Sequence, residues 1–354
     1  MNAYINETGT VRKKKDRVFI MTVVSCALSV LGVLMKSFYA DAEILPYDPS
    51  MLFILSLITG SMLLSCALTV LLSKGRYVLY LITLALPLVF SCSVHVLLGA
   101  SAAETLLALA FVPSAAVVSL CMSSSCEKTH TLSANAVVLM LTLLSALALS
   151  HYESFGEISA ASLGAVKSSL LSSFEEVLET YSYAGLGITQ AQLHEVFELS
   201  VLLTPAFAIA LVSILSYIEI TLTRILVLDR DVCKEGLTHW PLKLSRLASV
   251  IFLVSFLIFV FAVSDEKKIL VMTGANLFIA LLPGFFLLGL RAAPSHFKRP
   301  GLFGILFWIL IIMYCIRNPA ILLMIFAVMG AFDNLFKAFR ERFYGEKTDK
   351  KDKK

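Results

Sequence analysis

Apolar residues in this chain come in long blocks separated by short polar gaps. Runs near 18–35, 51–73, 77–99, 105–122, 131–150, 199–222, 247–264, 269–290, 302–316 and 319–335 are almost free of charge. At about 1.5 Å per residue, some 20 apolar residues cross roughly 30 Å of hydrocarbon as a helix. A transmembrane β-barrel needs apolar and polar residues to alternate over strands of about ten residues, and these runs do not alternate. The pattern predicts an all-α fold, a polytopic transmembrane helical bundle of about 8–10 spans. The last two runs are short and joined only by Arg317, Asn318 and Pro319, so a tilted pair or a re-entrant hairpin is expected there. The first run, Val18 to Met35, precedes an Ala40-Asp41-Ala42 triplet of signal-peptidase form. It is longer than the roughly 7–15 residues of a cleaved signal segment, so an uncleaved first span is expected.

One long stretch, 151–198, interrupts the blocks. Leu163, Val166, Leu170, Leu171, Phe174, Val177, Leu178 and Tyr181 recur at helical spacing, with Lys167, Ser169, Ser173, Glu175, Glu176 and Glu179 between them. This is an amphipathic helix with a wide apolar face, suited to lying on a membrane surface or over the mouth of a bundle. Gly185 and Gly187 end it, and Thr189 with Gln192 reads as a capping box for the next helix. The expected order is a basic N-terminus (1–17), a first bundle (18–150), the amphipathic segment (151–198), a second bundle (199–336) and a basic tail (337–354).

Composition supports the membrane reading. The chain is 58% hydrophobic and 15% charged, with mean hydropathy +0.86. A soluble domain has about a quarter of its residues charged. The distribution of charge then sets an orientation. Twenty-four of the 29 Lys and Arg residues fall in alternate gaps: Arg12–Arg17, Lys74 and Arg76, Lys128, Arg224–Arg246, Arg291–Arg299 and Lys337–Lys354. Lys36, Lys167, Lys267, Lys268 and Arg317 are left for the other side. Basic residues mark the cytoplasmic side, so both termini are expected inside and the amphipathic helix outside. The net charge of +4 flanks spans instead of building a basic domain, which argues against nucleic acid as a partner. The expected partners are the lipid bilayer, a small-molecule solute, and a cytoplasmic or membrane protein docked on the basic inner loops. Lys347–Lys354 suits anionic lipid or such a protein.

Candidate chemistry is sparse. The seven cysteines mostly lie in or beside apolar runs, where Cys acts as a small hydrophobe, so no metal or cofactor is expected. Polar groups within spans are costly and point to function. The candidate ligand-binding residues are His95 near the outer end of the third span, Glu219 near the inner end of the sixth, and Asn276 in the eighth. Glu104 follows the third span, Asp333 lies near the inner end of the last, and Glu219 is close enough in sequence to Arg224 to suggest an ion pair. Pro87, Pro113, Pro205 and Pro283 fall within spans; proline kinks helices, and transporters build sites from broken ones. Enzyme motifs fail residue by residue. His194-Glu195-Val196-Phe197-Glu198 has Glu where a zinc-protease helix needs its second His, and Glu175-Glu176 lacks the following Arg of a glutamate-protease motif, with Thr180 in its place. Phosphate-loop and nucleophile-elbow signatures are missing as well. A non-enzymatic protein is expected.

A further pattern runs from about Leu199 to Leu257. Leu203-Thr204-Pro205 leads to Ser216-Tyr217-Ile218-Glu219 and Thr223-Arg224-Ile225-Leu226, then to Thr238-His239-Trp240-Pro241-Leu242 before the next span. This resembles the YybS-like family of predicted bacterial multi-pass membrane proteins of unassigned function, and the likeness covers most of the chain. In that family Trp and Pro are separated by a residue or two, whereas Trp240 and Pro241 are adjacent, so no role passes to Trp240. The resemblance implies a bacterial plasma-membrane protein distantly similar to the substrate-capture subunits of vitamin transporters, with energy supplied by a partner. With the proline-broken spans and the lack of an ATP motif on one side, and the scarce buried polarity and basic tail on the other, two functions are expected. One is a small-molecule transport subunit without its own ATPase. The alternative is a non-transporting scaffold or assembly partner in the cell envelope.

Overall fold

The computed structural model describes residues 7–39, 49–180 apart from 74, 98, 100 and 125, 190–227, 242–261 apart from 243, 268–297 and 319–344. Every regular element among them is a helix. In chain order these are α1 Glu7–Tyr39, α2 Pro49–Ser73, α3 Tyr77–Leu97, α4 Ala102–Ala108, α5 Val112–Ser123 and α6 Lys128–Phe155. They continue as α7 Ala160–Thr180, α8 Gln190–Val227, α9 Arg246–Phe261, α10 Lys268–Phe297 and α11 Pro319–Tyr344. A helix satisfies its own backbone, which is what apolar surroundings demand.

Five stretches are long and apolar enough to cross a membrane: Phe53–Ser73, Ala102–Met122, Lys128–Phe155, His194–Ile225 and Ile269–Ala292. Shorter apolar helical stretches lie at Val18–Leu34, Tyr77–Phe90, Arg246–Phe261 and Ile321–Phe336. The all-α polytopic bundle expected from the blocks is thus what the chain builds. The expected run at 302–316, Thr189 of the capping box, the Trp240-Pro241 pair and the tail from 345 onward lie outside the described residues.

The chain divides into two compact units. The first takes Met1–Gly185 together with Leu215–Pro241, and the second takes Leu186–Ile214 and Leu242–Lys354. In the first unit α1 lies close against α2. Ser25 donates to the Gly60 carbonyl at 2.6 Å, and a Cβ at Gly60 would stand 3.1 Å from the Ser25 carbonyl oxygen. Small residues let membrane helices approach in this way. The span expected at 105–122 is a broken helix, α4 followed by α5, with Pro113 in the first turn of α5. Proline is tolerated there because its missing N–H would have had no helical partner.

Helix α4 is capped twice over. Ser101 and Glu104 form a capping box, and Glu153 of α6 accepts from Ala102 N at 2.8 Å. Glu104 is therefore occupied in starting a helix. The amphipathic segment folds as α7, started by Ser159, whose hydroxyl accepts from Ser162 N at 3.1 Å. On its predicted apolar face Leu163 and Leu170 are more than half exposed.

The second unit is built differently. Phe252, Phe278 and Phe285 are buried together with Ala327 and Ala331. Phe252 stacks on Phe278 with ring centroids 5.1 Å apart and tilts against Phe285 at 4.7 Å. Helices α10 and α11 touch backbone to backbone: a Cβ at Gly289 would overlap the Phe326 carbonyl, and one at Gly330 would overlap that of Phe285.

Candidate functional site

Three helices of the first unit bring buried polar side chains to Glu219. On α8, Ser216, Glu219 and Thr223 recur at helical spacing and are fully buried. On α2, Ser61, Ser65 and Thr69 form a buried stripe at spacings of four. Asn135 of α6 and Ser114 in the first turn of α5 complete the cluster, both fully buried. The break before α5 is held by Ser61, whose hydroxyl accepts from Phe111 N at 2.9 Å.

The Glu219 carboxylate receives only neutral donors. Ser65 Oγ donates to Oε1 at 2.5 Å, Ser114 Oγ donates to the same oxygen, and Asn135 Nδ2 donates to Oε2 at 2.7 Å. Asn135 Nδ2 also donates to Ser216 Oγ at 3.0 Å, and Ser216 donates to the Leu132 carbonyl at 3.2 Å. One turn further, Thr223 Oγ1 donates to Cys66 Sγ at 3.2 Å, and Cys66 lies 3.8 Å from the Glu219 carbonyl. Among the described residues no Lys, Arg or His pairs with the carboxylate. The ion pair expected with Arg224 does not form. Five residues on, Arg224 is turned roughly 140° around the helix at 3.6 residues per turn. The carbonyl oxygen Oδ1 of Asn135 is buried and has no hydrogen-bond partner among the described residues.

These contacts also order the helices. Ser65, Ser114 and Glu219 lie towards the C-terminal ends of their spans, and Asn135 lies towards the N-terminal end of its own. Each is about 9–12 Å from that end at 1.5 Å per residue. Arg76, Lys128 and Arg224 follow or precede these ends, so basic residues of three alternate gaps share one end of the unit. Lys128 reaches over the Tyr217 ring, 4.5 Å from its centroid.

The other two sequence candidates lie elsewhere. Asn276 belongs to the second unit, where Nδ2 donates to the Leu202 carbonyl at 3.3 Å and to that of Met272 at 3.0 Å. Leu202 adjoins Val201, whose carbonyl loses its helical partner to Pro205. Thr204 Oγ1 donates to the Ser200 carbonyl at 3.0 Å in the same turn. Asn276 thus fastens a second helix to a proline-bearing turn, and its Oδ1 has no partner among the described residues. His95 lies in α3, and its side chain is outside the described residues. Among the described residues no group of three or more His, Cys, Asp and Glu could hold a metal.

Sequence reasoning found Glu219 and missed the residues around it. Asn135 sits in an apolar run just as Asn276 does, so the same signal was present. The stripe of Ser61, Ser65 and Thr69 was visible as helical periodicity, but serine and threonine in membrane helices usually bond back to their own turn. Ser145 and Ser213 do so here, to Leu141 and Ile209.

Stacked apolar helices, a broken span and a buried polar cluster define a multi-pass membrane protein. The chain belongs to the family described as predicted membrane protein (DUF2232), whose model matches residues 50–334 and therefore contains the whole Glu219 cluster. No curated protein and no solved structure matches the chain.

Proposed function

We propose that this protein is a small-molecule transport subunit of a bacterial plasma membrane, binding its solute within the membrane and drawing energy from a partner. One observation carries this reading: a fully buried carboxylate on a membrane helix, ringed by neutral donors, with no countercharge among the described residues. A bare charge in such surroundings is expensive and is retained where it meets a ligand, an ion or a proton. The break at Pro113 supports the same reading, because it sets the first turn of a half-helix against the carboxylate, as interrupted helices do in transporters. Glu219 is the ligand-binding residue in this proposal. Asn276 serves its own unit as a fastener beside Pro205, and His95 is a second candidate by its sequence position in a span. The resemblance to substrate-capture subunits agrees with a protein that has no phosphate-binding loop. The bias of the basic gaps supports a cytoplasmic side for both termini and for the Glu219 end of the first unit, where Arg76, Lys128 and Arg224 would offer a partner its docking face.

The test is thermal stabilisation of the purified full chain by a broad panel of metabolites and vitamins. A solute that raises the Tm of the native protein and not of Glu219→Gln is the expected result. No response to any member of the panel, together with a recurrent protein partner in crosslinked membranes, would support the scaffold alternative instead.

A further inference from the structure

The Glu219 cluster has two electrostatic deficits, and one occupant removes both. The first is the carboxylate itself, fully buried with neutral donors alone. The second is Asn135 Oδ1, fully buried and without a donor among the described residues, on the same amide whose Nδ2 touches Glu219 and Ser216. Turning the amide over does not mend this, because it would set Oδ1 against the carboxylate and against a hydroxyl already donating to Leu132. Both deficits call for positive charge, and they sit on two groups joined by the 2.7 Å bond from Asn135 Nδ2 to Glu219 Oε2.

We propose that the cluster is a binding site for a small monovalent cation, with Na+ as the ion that fits. The donors are hard oxygens: the Glu219 carboxylate, Asn135 Oδ1, and the hydroxyls of Ser65, Ser114 and Ser216. Each hydroxyl spends its single proton on Glu219 or Leu132 and keeps lone pairs for a metal. Hard oxygen ligands suit alkali and alkaline-earth ions and not zinc or copper. One carboxylate balances one charge, whereas calcium sites gather 6–8 oxygens with several carboxylates among them. Size follows from the spacing of the hydroxyls. Ser65 Oγ and Ser114 Oγ are 3.4 Å apart. Neighbouring ligands at that separation suit metal–oxygen bonds of about 2.4 Å, the distance class of Ca2+, whose radius Na+ nearly shares. K+ is larger and gathers more oxygen ligands than these five side chains supply. The short α5 helix adds to the design by fixing Ser114 in its first turn, where Pro113 and the Ser61–Phe111 bond hold the backbone.

This inference rests on the reading of Glu219 as a ligand site, but its test needs no solute. The full chain in detergent is melted without added metabolites at constant ionic strength, with NaCl replaced stepwise by KCl or choline chloride. A saturable rise in Tm of several degrees with Na+, weaker with K+ and lacking with choline, is expected. Asn135→Ala should raise the half-saturating Na+ concentration at least tenfold, and Glu219→Gln should abolish the response. If Glu219→Gln does not fold, Ser114→Ala serves in its place, with a smaller rise in half-saturation. Identical melting in all three salts would overturn the cation site and assign the neutralising charge to a proton. So would a sodium response that Asn135→Ala and Ser114→Ala both leave unchanged. A sodium response without any solute response would sink the transport reading while leaving the cation site standing.

Discussion

The two units bury their helices by different means. In the second, volume does the work. Phe252, Phe278 and Phe285 fill the space between α9 and α10, while Gly289 and Gly330 let α10 and α11 touch backbone to backbone. In the first, a seam of Ser, Thr, Asn and one Glu runs between α2, α5, α6 and α8. Lipid is as apolar as leucine, so helices in a membrane gain little from hiding apolar surface and associate by close packing or by polar contacts. The aromatic packing of the second unit and the polar seam of the first exemplify the two, although α1 and α2 of the first unit also pack closely at Gly60. The polar one also costs specificity of charge, because a buried carboxylate has to be neutralised by something.

The contrast breaks most visibly through Phe252→Ala. Emptying a fully buried ring should cost about 3–5 kcal/mol, read as a lowered Tm or an earlier SDS-unfolding midpoint, with the sodium response retained by the protein that stays folded. Gly289→Ala comes next. Its methyl would collide with the Phe326 carbonyl, and overpacking of this kind costs about 1–3 kcal/mol by the same measurement. If Gly289→Ala melts like the native chain, the backbone contact of α10 with α11 is wrong.

In the first unit the expected order of effects is reversed. Glu219→Leu removes the acceptor of three donors, but Ser65 and Ser114 can turn back to carbonyls of their own helices. The loss of stability should be near 1–3 kcal/mol, dominated by the stranded Asn135 amide, while every sodium or solute response disappears. A stability loss as large as that of Phe252→Ala, with ligand responses intact, would erase the distinction between the units. The smallest effect should come from Leu170→Ser on α7. The side chain is more than half exposed, so stability in detergent should change by less than about 0.5 kcal/mol. Binding to lipid vesicles should weaken, measured by flotation of the isolated amphipathic peptide 160–180 with and without the substitution.

Much of the fold was legible in the blocks. Apolar runs of spanning length predict helices because hydrocarbon leaves a backbone no other partner, and α2, α3, α6, α8 and α10 follow from that alone. The register of Leu163 to Leu178 similarly predicted α7. Glu219 stood out because a charge within a span is rare. Its surroundings did not. Ser65, Ser114 and Asn135 are separated from it by some 80 to 150 positions, and nothing local distinguishes a serine that serves another helix from one that serves its own. The expected ion pair with Arg224 failed for the same reason: nearness along a helix is not nearness across its faces.

What the sequence determined by itself was the membrane, the helices and the alternation of basic gaps, because these depend on local hydrophobicity and charge. The tertiary structure decided which polar residues meet. It set one suspicious glutamate in a five-residue oxygen cluster beside a broken helix, and it set the Asn276 amide against the Leu202 carbonyl near a proline turn. Such convergence depends on helix rotation and packing distance, and those are set by partners far away in the chain.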